Sequence, residues 1–187
     1  IETANICGLA QMPPSRRNPM LTTSYGVGQV IRHALGRRVK IIYVGLGGTS
    51  TQDGGAGLAQ ALGAKLLDSH GKQIGYGCAW LGALKKINLQ KLDARIKKVQ
   101  IYGLSDVTNP LVGPNGSARI YAPQKGATPE QVKTIETNLA RFARLMAGAT
   151  GLKVDKLPGA GAAGGMAAGL AALCKASLLP GALTLLE

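Results

Sequence analysis

The chain has 187 residues, the length of one ordinary domain, and its 45% hydrophobic and 17% charged residues exclude disorder. Its 27 glycines are about twice the usual share, but they follow no Gly-X-Y period and no polar repeat, which excludes collagen and linkers. A net charge of +13 favours anionic partners, yet the bases are scattered and the chain has only one Phe, one Trp and five Tyr, so a basic solvated surface is favoured over a nucleic-acid groove.

The opening Ile1-Glu2-Thr3 has no Met and no signal segment, and the closing Ala182 to Glu187 reads as a strand that stops. Both ends suggest a segment of a longer chain. Residues 24–38 set Val27, Val30, Ile31, Ala34 and Leu35 on one helical face, and the β-branched run Val39 to Val44 reads as a buried strand ending in glycines. A loop at Thr49 to Asp53 leads into a helix over Ala56 to Leu62. A short strand at Lys65 to Asp68 follows, then a turn at Asp68-Ser69-His70-Gly71. Lys85 to Lys98 is basic and weakly patterned, and Lys98 to Leu104 reads as a second buried strand. The clearest helix starts with Thr128 as cap, Pro129 in the first turn and Gln131 closing a capping box; Val132, Ile135, Leu139, Phe142 and Leu145 or Met146 then repeat to about Ala149. A last helix covers roughly 163–176, with a final strand after Pro180-Gly181. Alternating helices and strands predict an α/β class, a mixed sheet flanked by helices.

The Gly/Ala-rich stretch 159–174 is bounded by Lys175 and is too glycine-rich at its start for a membrane span. Cys7, Cys78 and Cys174 are odd in number and far apart, which argues against a disulfide framework or structural zinc and for a cytoplasmic setting. His33 and His70 lack metal spacing, and Cys78 and Trp80 read as packing residues.

Three glycine-bearing segments carry the candidate chemistry. In the first, Gly45 to Gly57, a strand runs into a helix through bare amides that suit an anion. Gly47, Gly48, Gly54 and Gly55 supply amides, Thr49 and Ser50 hydroxyls, and Asp53 a metal or hydroxyl partner; the plain alternative is a tight connection with a capping Asp. The motif is neither a Walker A loop nor a clean GxGxxG. In the second, Asp106 ends a strand where α/β sites form, Asn109 offers an amide to substrate hydroxyls, and Gln124-Lys125 adds a polar contact and a cation; turn chemistry would explain each part taken alone. In the third, Gly159 and Gly161 precede a helix, either to bind an anion or to let backbones approach closely.

Taken together, these segments resemble the bacterial type I glycerate kinase family. The match rests on Thr22 to Gly28, Gly45 to Gly48 through Asp53 to Gly57, Asp106 to Leu111, Pro123 to Ala127 and Leu157 to Gly165, in one order along nearly the whole chain. The resemblance implies transfer of the ATP γ-phosphoryl group to D-glycerate with Mg²⁺, giving 2-phosphoglycerate. It also implies an inserted-domain segment of a two-domain enzyme, whose remaining ends the parent chain would supply. On that footing Asp53 or Asp106 orients the hydroxyl or Mg²⁺, Lys125 balances anionic charge, the loop amides cradle the ligand, and Glu2 is a further candidate. Gln52 stands where the family usually has Asn. The competing classes are a non-catalytic polyanion- or nucleic-acid-binding module, and a dinucleotide binder. The second lacks an acidic residue at ribose distance, because Asp68 is too close and belongs to a turn.

Overall fold

A computed structural model describes residues 1–186. The chain runs through α1 (Ala4–Cys7), α2 (Tyr25–Gly36), β1 (Ile41–Gly45), α3 (Ala56–Ala61), β2 (Lys65–Leu67), β3 (Lys86–Asn88) and β4 (Gln100–Leu104). It continues through α4 (Ser117–Tyr121), α5 (Pro129–Thr150), α6 (Ala162–Cys174), β5 (Ser177–Leu179) and α7 (Gly181–Leu186). Strands β1, β4 and β5 form a parallel sheet in that order, and β2 and β3 form a separate antiparallel pair. The expected α/β class holds, with the strands divided between two small sheets.

Alternation along β1 and β4 turns Ile42, Val44, Ile101 and Gly103 to one face, and there the pairs Ile42–Ile101 and Val44–Gly103 lie side by side. This face meets α6, whose stretch Met166–Cys174 is buried throughout, as expected of a helix that is apolar all round. Helices α3, α4 and α5 pack around α6, and α2 packs on α3. The opposite sheet face leaves Ile41 and Tyr43 exposed, with Tyr43 stacked on Tyr102 at 5.2 Å. The two strands are thus buried on one face rather than both, because no helix among the described residues covers the second.

The long helices form where their periodicity places them. Val27, Ile31 and Leu35 of α2 are buried, whereas Val30 points outward. Helix α5 buries Ile135, Leu139, Phe142 and Met146. Its start carries the full capping box: the Gln131 amide donates to the Thr128 hydroxyl and the Thr128 amide to the Gln131 side chain. Other elements depart from expectation. β5 precedes Pro180, and Gly181–Leu186 is helical rather than a strand, its start capped by the Asp106 carboxylate, which accepts from the Ala182 amide; Glu187 lies outside the described residues. β3, α1 and α4 were not anticipated, since three to five residues are too short to show a period. The expected helix over 163–176 begins with three left-handed residues, Ala163, Gly164 and Gly165, so its regular right-handed turns start at Met166.

Candidate functional site

Parallel pairing puts the carboxyl ends of β1, β4 and β5 on one edge of the sheet. Residues 1–3 extend it: Glu2 pairs in parallel with Gly45, the Gly45 amide donates to the Ile1 carbonyl at 2.9 Å, and the Thr3 amide donates to the Gly45 carbonyl at 3.2 Å. An open cleft of about 640 Å³ lies along this edge, lined by Glu2, Gly45, Leu46, Gly47, Ser105, Asp106, Val107 and Gly181 among others. Asp106 is exposed in it; its Oδ1 accepts the Ala182 amide at 3.1 Å, and the described residues supply no bond to its Oδ2. Glu2 is also exposed, with Oε1 accepting the Ala4 amide. The amides of exposed Gly47 and Gly48 find no acceptor among the described residues, while their carbonyls are taken by the Thr3 hydroxyl and the Leu9 amide. Gly48 has φ +61°, a left-handed conformation that glycine adopts without strain.

The rest of the first glycine loop turns inward. Asp53 is fully buried, and its carboxylate accepts five bonds: from the Ser24 amide (2.8 Å), the Ser24 hydroxyl (2.9 Å), the Thr23 hydroxyl (3.3 Å), the Gly55 amide (3.2 Å) and the Gly57 amide (3.1 Å). It joins the start of α2 to the start of α3. The carboxylate expected to meet substrate or Mg²⁺ is thus buried, with both oxygens bonded to protein groups. Thr49 and Ser50 are likewise buried, the first accepting from Lys125 and the second donating to the Cys7 carbonyl. The Gly54 amide donates to the Gly164 carbonyl at 3.0 Å. Gly54 and Gly55 therefore hold the fold together rather than an anion. At Gly164, φ is +70° and a Cβ would collide with the Thr51 carbonyl, so only glycine fits.

The second and third segments meet each other. The Gly159 and Gly161 amides donate to the Thr108 and Asn109 carbonyls at 3.1 and 2.9 Å, which removes both from an anion-binding role. The close-approach alternative is the one the structure adopts. Asn109 is committed as well: the Tyr121 hydroxyl donates to it at 2.6 Å, and its own amide donates to the Asn115 carbonyl. Gln124 is exposed on the turn Pro123–Lys125 and does not line the cleft. Gln52 is buried and reciprocally bonded to Ser117, at 3.0 and 3.2 Å.

Part of the surface charge gathers at the other end of the sheet. Lys40, Lys98 and Lys175 shortly precede β1, β4 and β5, so with Lys97 they ring the amino-terminal edge, opposite the cleft. A second hollow of about 660 Å³ at that edge includes Lys97, Lys175 and an apolar floor of Leu92, Ile96 and Val99. Burial pushes the Cys78 and Cys174 thiols up to about 12, so both are neutral packing groups.

Mg²⁺ can be tested against these side chains. Among the described residues no three His, Cys, Asp or Glu side chains converge. Mg²⁺ needs only one or two carboxylates when phosphates complete its shell, and the free Oδ2 of Asp106 meets that need where Asp53 does not. No helix of the described residues is long and apolar enough to cross a membrane.

An exposed carboxylate and unbonded loop amides lie at the carboxyl edge of a parallel sheet, the edge at which α/β proteins place their ligand sites. The comparison with known proteins makes this specific: the whole chain, residues 1–187, matches the model of the glycerate kinase family, and the chain belongs to that family. It is 45% identical over 97% of its length to a glycerate kinase of Halalkalibacterium halodurans, and 46% identical over 97% to glycerate 2-kinase of Escherichia coli. It spans 48% of each of these relatives, about half their length. A crystal structure described as that of a glycerate kinase 2 from Salmonella typhimurium LT2 superimposes with a TM-score of 0.95 at 46% identity, over 98% of this chain and 49% of that one.

Proposed function

We propose that the intact polypeptide transfers the γ-phosphoryl group of ATP to a hydroxyl of D-glycerate, giving 2-phosphoglycerate and ADP in the cytoplasm. Membership of the glycerate kinase family and the name of the Escherichia coli relative support the reaction. The observation that carries the site is the cleft lined by Asp106, Glu2 and Gly47, with the unbonded amide of exposed Gly48 next along the chain. Phosphoryl transfer is chiefly a matter of positioning and charge neutralisation. Asp106 accepts a hydrogen bond from the attacking hydroxyl or would hold Mg²⁺, which neutralises phosphate charge when bound. Gly47 and Gly48 donate to a carboxylate or phosphate oxygen. Asp53 acts at one remove, setting the loop that leads to them.

The chain is one part of a two-domain enzyme, and the rest of the polypeptide closes the site. Two facts support this: it spans about half of its relatives, and its sheet leaves Ile41 and Tyr43 uncovered. The 187-residue segment alone therefore has no turnover. The test is Asp106→Ala in the intact polypeptide, followed by glycerate-dependent ADP release. A loss of about 100-fold or more in kcat/KM, with an unchanged melting temperature, is expected. Near-wild-type kcat/KM would overturn the assignment.

A further inference from the structure

Beneath the cleft loop lies a buried cation. Lys125 is 4% exposed, and its Nζ donates to the Thr51 carbonyl at 2.8 Å and the Thr49 hydroxyl at 3.4 Å. Among the described residues the sole ion pair is Arg95–Asp93, so no carboxylate reaches Lys125. An ammonium has three protons to donate, and this one has two acceptors. Burial lowers its pKa to about 8, while Cys7 and Asp53 pull it back upward. Burial also raises the Cys7 thiol to about 11, which leaves Asp53 as the charge facing Lys125. A cation buried without an ion-pair partner destabilises a fold, and an apolar side chain of similar length would not.

The position of this cation suggests its use. The Gly47–Gly48 turn is held at one end by β1 and at the other by the Gly8–Thr49 pairing, where the Leu9 amide donates to the Gly48 carbonyl at 2.7 Å. Lys125 is bonded to buried Thr49 and Thr51, and Gly47 and Gly48, immediately before them in the chain, are exposed. In a poorly solvated interior its charge is weakly screened and adds to the field of those amides.

We propose that Lys125 is a positioning residue for the Gly47–Gly48 turn, fixing the loop and placing a positive charge behind its amides so that they hold an anionic group of the substrate. The proposal rests on the reading of the cleft as the anion site. Lys125 does not touch the ligand.

The test compares Lys125→Met and Lys125→Arg with the wild type in the intact polypeptide. Inorganic sulfate is the probe, since its charge is constant over the range used. Its affinity is followed by NMR at the Gly47 and Gly48 amides, with KM and kcat for D-glycerate and ATP and the melting temperature alongside. Lys125→Met should melt at or above the wild-type temperature, bind sulfate about tenfold more weakly, and raise KM more than it lowers kcat. Wild-type sulfate affinity should fall as pH rises through about 8, the range in which Lys125 loses its proton. Lys125→Met should show no such fall, and Lys125→Arg should keep its affinity above that pH.

Unchanged sulfate affinity in Lys125→Met, or the same pH dependence in it, would overturn the proposal. Should Lys125→Met fail to fold, Thr49→Val removes only the hydroxyl acceptor; sulfate binding equal to wild type in that variant counts against the proposal, and weaker binding for it. A wild type that binds sulfate at these amides but releases no ADP with glycerate defeats the kinase reading and leaves the Lys125 proposal standing. A wild type that releases ADP while its Gly47 and Gly48 amides ignore sulfate does the reverse.

Discussion

Replacing Asp53 with Ala should unfold the segment that joins α2 to α3. The carboxylate is fully buried and takes five donors, three of them the backbone amides of Ser24, Gly55 and Gly57. The hydroxyls of Thr23 and Ser24 can turn elsewhere, but the amides are fixed in place. A buried donor left unpaired costs about 1–3 kcal/mol, so three cost about 4 kcal/mol after local relaxation. That is a large share of a domain stability of about 5–15 kcal/mol. With a urea slope of about 2 kcal/mol/M, the unfolding midpoint should fall by about 2 M. Asp53→Asn keeps one acceptor oxygen but turns an amide N–H toward the donors, and should lose about half as much. Urea unfolding followed by far-UV circular dichroism measures both. A midpoint for Asp53→Ala within about 0.3 M of wild type would refute the structural role and return Asp53 to the list of ligand-binding groups.

Two further substitutions test other joints of the fold. Gly164→Ala places a Cβ against the Thr51 carbonyl at a left-handed residue, and should cost about 3 kcal/mol, lowering the melting temperature by about 6–12 °C in calorimetry. Gly148→Ala is the control, since a Cβ there meets nothing within 4 Å. Thr128→Ala removes the hydroxyl of the α5 capping box and should cost about 1 kcal/mol, or about 2–4 °C, with Thr128→Ser close to wild type. Thr128 does not line the cleft, which predicts unchanged kcat/KM.

Much of the scaffold was legible because its signals are local. The capping box of α5, the buried stripe Ile135-Leu139-Phe142 and the β-branched run into β1 each lie within a few residues of one another. Asp106 and Glu2 both line the cleft, the first singled out by its place after a strand and the second by its resemblance to a family motif. What failed was the separation of cleft-facing groups from buried ones. Thr49, Ser50, Gly54 and Gly55 look as suitable for an anion as Gly47 and Gly48, and their sequence carries no mark of the difference. The strand expected after Pro180 failed for a related reason. Asp106, far away in the chain, caps those residues as a helix.

The sequence by itself determined the α/β class, the long helices α2 and α5, the strands β1 and β4, and the glycine-rich segments that identify the family. Those features follow from periodicity, capping and backbone freedom, all of which act over a few residues. Only the tertiary structure decided that Asp53 is a buried joint, that Gly159 and Gly161 bind the Thr108–Asn109 backbone, and that Lys125 is buried against Thr49 and Thr51. Exposure and hydrogen-bond partners are set by segments distant in the chain: Lys125 meets Thr51 across 74 positions, and Asp53 meets Ser24 across 29. A carboxylate or an amide can serve a ligand only where those distant segments leave it unpaired.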